Sequence, residues 1–225
     1  PHRPMPGLLR GDAGGSIGGA EVQQLSLARE FRRRGHEVTI IALDTGGKLP
    51  PHTPEGIRIL RSYDPDAGVR YIRFFRPRRA RLMAALREAD AHIYYHRTRS
   101  ADLGITADHC RRNGGRLVFS VSHDHGVDGT YVSTTTWVNR HHFLKGLRAA
   151  DAVVVQSGRQ KELLKGNHGI DGVLIRSGHE MRPPARSKGR HILWVSTLRR
   201  WKRPELFLEL ARAMPERRFV MIGGA

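Results

Sequence analysis

Three short stretches carry the residue types that chemistry needs. In GGSIGGAEVQ (14–23), glycines crowd against the start of a helix-like run. Glycine lets a backbone approach a ligand closely, and a helix N-terminus offers unpaired N–H groups and a positive dipole end to an anion. The string is neither G-x-x-x-x-G-K-[ST] nor G-x-G-x-x-G, so the sharply defined nucleotide motifs do not apply. A flexible turn without a ligand accounts for it equally well.

In SVSHDHGVDG (120–129), His123 and Asp124 directly follow a buried-type strand, where open α/β sheets place their ligands. A His beside an Asp suits acid–base work or a grip on a sugar hydroxyl. Adding His125 and Asp128 permits a metal reading, but no H-E-x-x-H or paired-cysteine spacing supports one, and no metal site is expected. The plain alternative is a polar strand-end loop. In STLRRWKRPE (196–205), Arg199, Arg200, Lys202 and Arg203 cluster after another strand, and Pro204 suits the first turn of the next helix. Such side chains would neutralise a diphosphate, and a solvated basic turn is the plain alternative.

The elements that must position these residues show as alternation. Apolar, β-branched runs fall at 38–43, 91–96, 116–122, 151–157, 172–177, 191–196 and 218–224. Helix-like stretches fall at 19–34, 78–88, 99–112, 137–149, 158–166 and 204–213. Continuous apolar strands separated by helices predict an α/β fold with a doubly wound parallel sheet covered on both faces. In the first helix, Val22, Leu25, Ala28 and Phe31 repeat at helical spacing, and Gly35 stands where a left-handed cap is expected. The stretch 70–88 interleaves aromatics and arginines, with Leu82, Ala85, Leu86 and Ala89 on one face. A packed helix with a basic outer side is favoured there over a strip lying on an anionic membrane.

Domain organisation follows from where the pattern lapses. Residues 1–176 form a first domain; the proline-, glycine- and base-rich 177–190 reads as a linker; and 191–225 opens a second domain with one strand–helix–strand. One such unit leaves its helix face half covered, so the second domain is expected to be incomplete, and a first strand is expected upstream of Pro1. The chain has 225 residues and a formal charge of +18, from 39 Lys+Arg against 21 Asp+Glu. That excess attracts polyanions, anionic lipid or phosphorylated molecules, but the basic residues are dispersed, and charge speaks to association rather than fold. The single Cys110 excludes a disulfide framework and points to a reducing, cytoplasmic setting.

Taken together, these residues resemble retaining glycosyltransferases of family 4, of the GT-B fold. The resemblance rests on GGAEVQQLSLAREFRRRGHEVTIIAL (18–43), ADAVVVQSGRQKELL (150–164) and ILWVSTLRRWKRPELFLELARAMPERRFVMIGG (192–224), in that order. It implies two Rossmann-like domains facing a cleft, with the acceptor mainly on the first and a nucleotide-sugar donor mainly on the second. It implies that Gly18 and Gly19 approach the donor diphosphate, that His123 and Asp124 lie near the transferred sugar, and that Lys202 holds the donor phosphates. Two positions depart from the pattern: Thr197 stands where an arginine is usual, a role Arg199 or Arg200 could take, and Ser196 stands where glycine is common. The family's acidic E-x7-E motif is expected beyond Ala225, and weak donor binding is expected of the chain without it.

The expected function is therefore transfer of a sugar from a nucleotide-sugar co-substrate to a glycan, lipid or small-molecule acceptor, without cofactor or metal at the site. The expected location is the cytoplasm, with peripheral contact to an anionic membrane and no specific nucleic acid. The competing readings are a non-catalytic Rossmann-like module for a glycan or phosphorylated ligand, and a basic polyanion binder.

Overall fold

A computed structural model describes residues 5–10, 18–69, 74–178 and 189–224. Most of the glycine loop before Gly18, residues 70–73, and 179–188 of the expected linker lie outside the described residues. The chain divides into two compact units, Pro1–Glu180 and Met181–Ala225.

The first unit runs α1 (Met5–Arg10), α2 (Gly19–Arg33), β1 (Thr39–Ala42), β2 (Arg58–Arg61), α3 (Ala80–Ala89), β3 (Ile93–Arg97), α4 (Asp102–Asn113) and β4 (Arg116–Ser120). It continues with α5 (Thr130–Thr134), α6 (Trp137–Ala149), β5 (Ala152–Val155), α7 (Gly158–His168) and β6 (Val173–Leu174). The strands form a β1–β2 pair and a four-stranded sheet in the order β3-β4-β5-β6, all parallel. The second unit contains β7 (His191–Val195), α8 (Pro204–Ala213) and β8 (Arg218–Ile222), with β7 and β8 parallel. This is the α/β architecture that the alternation predicts.

All seven apolar runs overlap a strand. The eighth strand, β2, is missed because its sequence, Arg-Ile-Leu-Arg, has only two apolar residues and shows no period. Ile59 and Leu60 are nevertheless buried, and Ile59 pairs with Ile40 of β1. The α2 face is narrower than its spacing predicts. Leu25 and Ala28 are buried against Ile57, whereas Val22 and Phe31 are about 40% exposed. Gly35 does end α2 in the left-handed region (φ 87°).

α4 is the central helix. Leu103, Ile105, Ala107 and Cys110 join Phe119 of β4 and Phe143 and Leu147 of α6 in one core. α4 and α6 meet through glycines: a Cβ on Gly104 would lie 2.2 Å from the His142 carbonyl oxygen, and one on Gly146 would lie 2.6 Å from the Leu103 carbonyl carbon. Only a residue without a side chain fits either place. Burial pushes the Cys110 thiol up to about 11.

Two buried carboxylates pin this layer. Asp102, 1% exposed, accepts from the Tyr63 hydroxyl at 2.8 Å and from Arg78 Nε at 2.9 Å. Burial opposes its charge, which the Arg78 guanidinium and the two hydrogen bonds favour. Asp108 meets Lys145 of α6 at 2.6 Å, Arg79 at 3.6 Å and Arg111 at 3.7 Å. In α3, Leu82, Met83, Ala85 and Leu86 are all buried, so its apolar face belongs to the core, as the packed-helix reading requires. No helix among the described residues is long and apolar enough to cross a membrane.

Candidate functional site

The carboxyl ends of β3, β4 and β5 build one polar cluster. β3 ends at Arg97, and Thr98 then takes a positive φ of 77°. A β-branched residue rarely adopts that conformation, and such strain persists only where neighbours enforce it. Here the Thr98 amide donates to the Ser120 carbonyl at 3.3 Å, and Thr98 Oγ1 meets Ser122 Oγ at 2.9 Å. The turn after β3 is thereby stapled to the turn after β4, one residue before His123.

His123 is exposed and extended, and opens the short turn Asp124–Gly126. Its ring stacks on that of His125 with centroids 4.6 Å apart. Asp124 points the other way. Its Oδ1 accepts from Gln160 Nε2 at 3.0 Å, and its Oδ2 lies 3.6 Å from Arg159 Nε. His125 Nδ1 lies 3.0 Å from Asp128 Oδ2, and Asp128 Oδ1 accepts from the Thr130 amide at 2.8 Å. Desolvation works against the Asp128 charge, but the Thr130 amide and the His125 imidazole outweigh it and lower its carboxyl to about 2. The adjacent His123 and Asp124 thus divide the work: Asp124 anchors the loop to α7, and the His123 imidazole stays open to solvent.

Gln160 is the linchpin that spacing did not single out. Its Oε1 accepts from the Gln156 amide at 2.9 Å, while its own amide donates to Ser157 Oγ at 3.2 Å. Gln156 Nε2 in turn donates to the Val121 carbonyl, so β4, β5 and α7 share one network. The signal was present locally, because Ser157-Gly-Arg-Gln160 has the S-x-x-Q form of a capping box. Its reach to Asp124 is a tertiary contact that no local pattern carries.

Gly18 is the extended cap of α2 and Gly19 its first helical residue. Glu21 is buried and folds back over this end, since a Cβ on Gly18 would lie 2.1 Å from Glu21 Oε2. A Cβ on Gly19 would meet nothing within 4 Å. The helix end therefore already carries a carboxylate, which an incoming anion would have to share or displace. Arg97 ties α2 to the cluster, donating to Gln23 Oε1 and to Ser120 Oγ at 3.0 Å.

In the second unit, Arg199, Arg200 and Lys202 are exposed on the turn after β7. Lys202 N donates to the Arg199 carbonyl at 2.8 Å, and Arg203 is held to Glu205 at 2.7 Å. Pro204 opens α8, as expected. Among the described residues, Arg199, Arg200 and Lys202 form no ion pair within 4 Å, and Glu205, which feels Arg203 and Arg200, is outnumbered by the positive charges on this turn.

A parallel α/β fold with its polar cluster at the strands' carboxyl ends is the layout of the Rossmann-like ligand-binding proteins. Residues 17–180 match Glycosyltransferase Family 4, and the chain belongs to that family. No curated protein matches it.

Proposed function

We propose that the protein transfers a sugar from a nucleotide-sugar donor to a glycan, lipid or small-molecule acceptor. One observation carries the reading: within a family 4 domain, an exposed His123 stands on a loop whose Asp124 is anchored by Gln160 and Arg159. A fixed imidazole at a sheet's carboxyl edge can hold a sugar hydroxyl or move the proton that the acceptor releases. The acceptor oxygen forms the new bond to the sugar's anomeric carbon, and the bond to the donor phosphate breaks with its electrons leaving on the diphosphate. Charge on that leaving group is offset by Lys202 with Arg199 and Arg200, with no metal required for this step.

The test is release of nucleoside diphosphate from a panel of uridine, guanosine and adenosine diphosphate sugars, by the chain and by His123→Ala. Turnover with at least one donor, lowered by about 10²–10⁴-fold in the variant, supports the reading. Binding without turnover, unaffected by His123→Ala, would favour the non-catalytic module instead.

A further inference from the structure

Arg99 stands beside the candidate site and takes no part in the sugar-transfer reading. It follows Thr98, whose positive φ of 77° turns the chain sharply at the end of β3. A β-branched residue keeps such a conformation only where its neighbours enforce it, as the bonds to Ser120 and Ser122 do here. The turn delivers Arg99 onto α5, with its guanidinium carbon 5.6 Å from the centre of the Tyr131 ring. That ring is itself fixed, edge-on to the fully buried Phe143 at 5.1 Å. A planar guanidinium laid on an aromatic face is held in place and keeps its N–H edge open.

A line of contacts runs from this shelf to His123. Tyr131 adjoins Thr130, whose amide donates to Asp128; Asp128 meets His125; and His125 stacks on His123. At the other end of the loop Thr98 and Ser122 bind one another, so Arg99 and His123 each follow one half of the same hydroxyl pair. The neighbouring charges leave Arg99 over. Arg78 is spent on Asp102, and Arg97 binds Gln23 and Ser120. Asp124 is met by Gln160 and Arg159, and Asp128 by His125 and Thr130. Among the described residues Arg99 forms no ion pair, yet it is half-buried, whereas the Arg159 side chain extends into water at 78% exposure.

We infer that Arg99 is a specificity-determining residue, which holds a phosphate or carboxylate of the acceptor whose hydroxyl lies at His123. Calling that molecule the acceptor rests on the sugar-transfer reading, in which the donor phosphates fall to the turn of Lys202. That the molecule is an anion follows from Arg99. A guanidinium fork matches either group through paired N–H···O bonds, to which an uncharged sugar offers no counterpart.

The test compares acceptors that differ in one group. Nucleoside diphosphate release from the fastest donor is followed with methyl glucoside, glucose 6-phosphate, glucuronate or dihexanoyl phosphatidylglycerol, beside calorimetric titrations of the same four compounds. A preference of about ten-fold or more for a charged compound over methyl glucoside is expected. Arg99→Ala should bring that ratio close to one, and Arg99→Lys should restore part of it. Preference for glucose 6-phosphate or glucuronate marks a soluble acceptor; preference for phosphatidylglycerol alone marks a lipid headgroup. No preference, a preference that Arg99→Ala leaves intact, or a loss confined to the KM of the donor would overturn the inference. A calorimetric preference that needs Arg99, without turnover of any donor, would uphold the anion grip and overturn sugar transfer instead.

Discussion

The loop after β4 and the turn after β7 occupy equivalent places, each at the carboxyl end of a parallel strand, and are built on opposite plans. In the first, acids are matched internally: Asp124 to Gln160 and Arg159, Asp128 to His125 and Thr130. In the second, Arg199, Arg200 and Lys202 are held in place by backbone hydrogen bonds while their charges face water. The first is finished before any ligand arrives, as suits a group that must sit within a fraction of an ångström of reacting atoms. The second keeps an excess of positive charge in water, as suits a phosphate grip. The platforms differ too: Leu117 and Phe119 of β4 are fully buried, whereas Leu193 and Val195 of β7 are 58% and 64% exposed.

Substitutions at five positions test that contrast. The largest effect is expected at His123, where alanine should lower turnover by about 10²–10⁴-fold with little change in melting temperature. A matching loss of stability would show that the ring only packs. Next comes the support beneath the finished loop. Gly146→Ala should destabilise the chain by about 1–3 kcal/mol in urea titrations, because Leu103 backbone occupies the space a methyl group needs. An unchanged midpoint would mean that α4 and α6 can part without cost. For the waiting turn the prediction is reversed. Lys202→Ala should leave stability unchanged yet weaken nucleotide-sugar binding about ten-fold in calorimetry. Equal affinity would remove Lys202 from the phosphate role.

Gln160→Ala should cost about 1 kcal/mol and raise hydrogen-exchange rates from residue 123 to 128, by freeing Asp124. The smallest effect concerns acid. Asp128 has its folded value lowered to about 2 from an ordinary 3.8, so its contribution is present above pH 4 and is lost as pH falls toward 2. Asp128→Asn should therefore narrow its stability gap from the parent only in that window. A gap that stays constant down to pH 2 would contradict the pairing.

Much of this is legible in the sequence. The seven apolar runs and six periodic stretches each overlap the strand or helix found there, with ends that differ by at most three residues. His123 and Asp124 were visible because a buried strand ends just before them. Other features were not legible, and for identifiable reasons. Gly104 and Gly146 read as weak points in helices until each is seen to sit against the other helix's backbone. β2 declares itself only through its pairing with β1. Asp124 and Gln160 meet across 36 positions, a distance over which spacing carries no information. Thr98 looks like an ordinary residue, since a strained φ belongs to the backbone rather than to the letter.

Cys110 has a practical meaning of its own. It is the only thiol in the chain, lies in the core, and has its ionisation pushed up to about 11. Thiol reagents act on the thiolate, so at neutral pH the folded chain should label slowly, and the rate should be set by how often α4 lifts from the sheet. The protein thus carries its own clock for opening of the central helix. Each ligand that steadies the first unit can be recognised, before any product is seen, by how far it slows that clock.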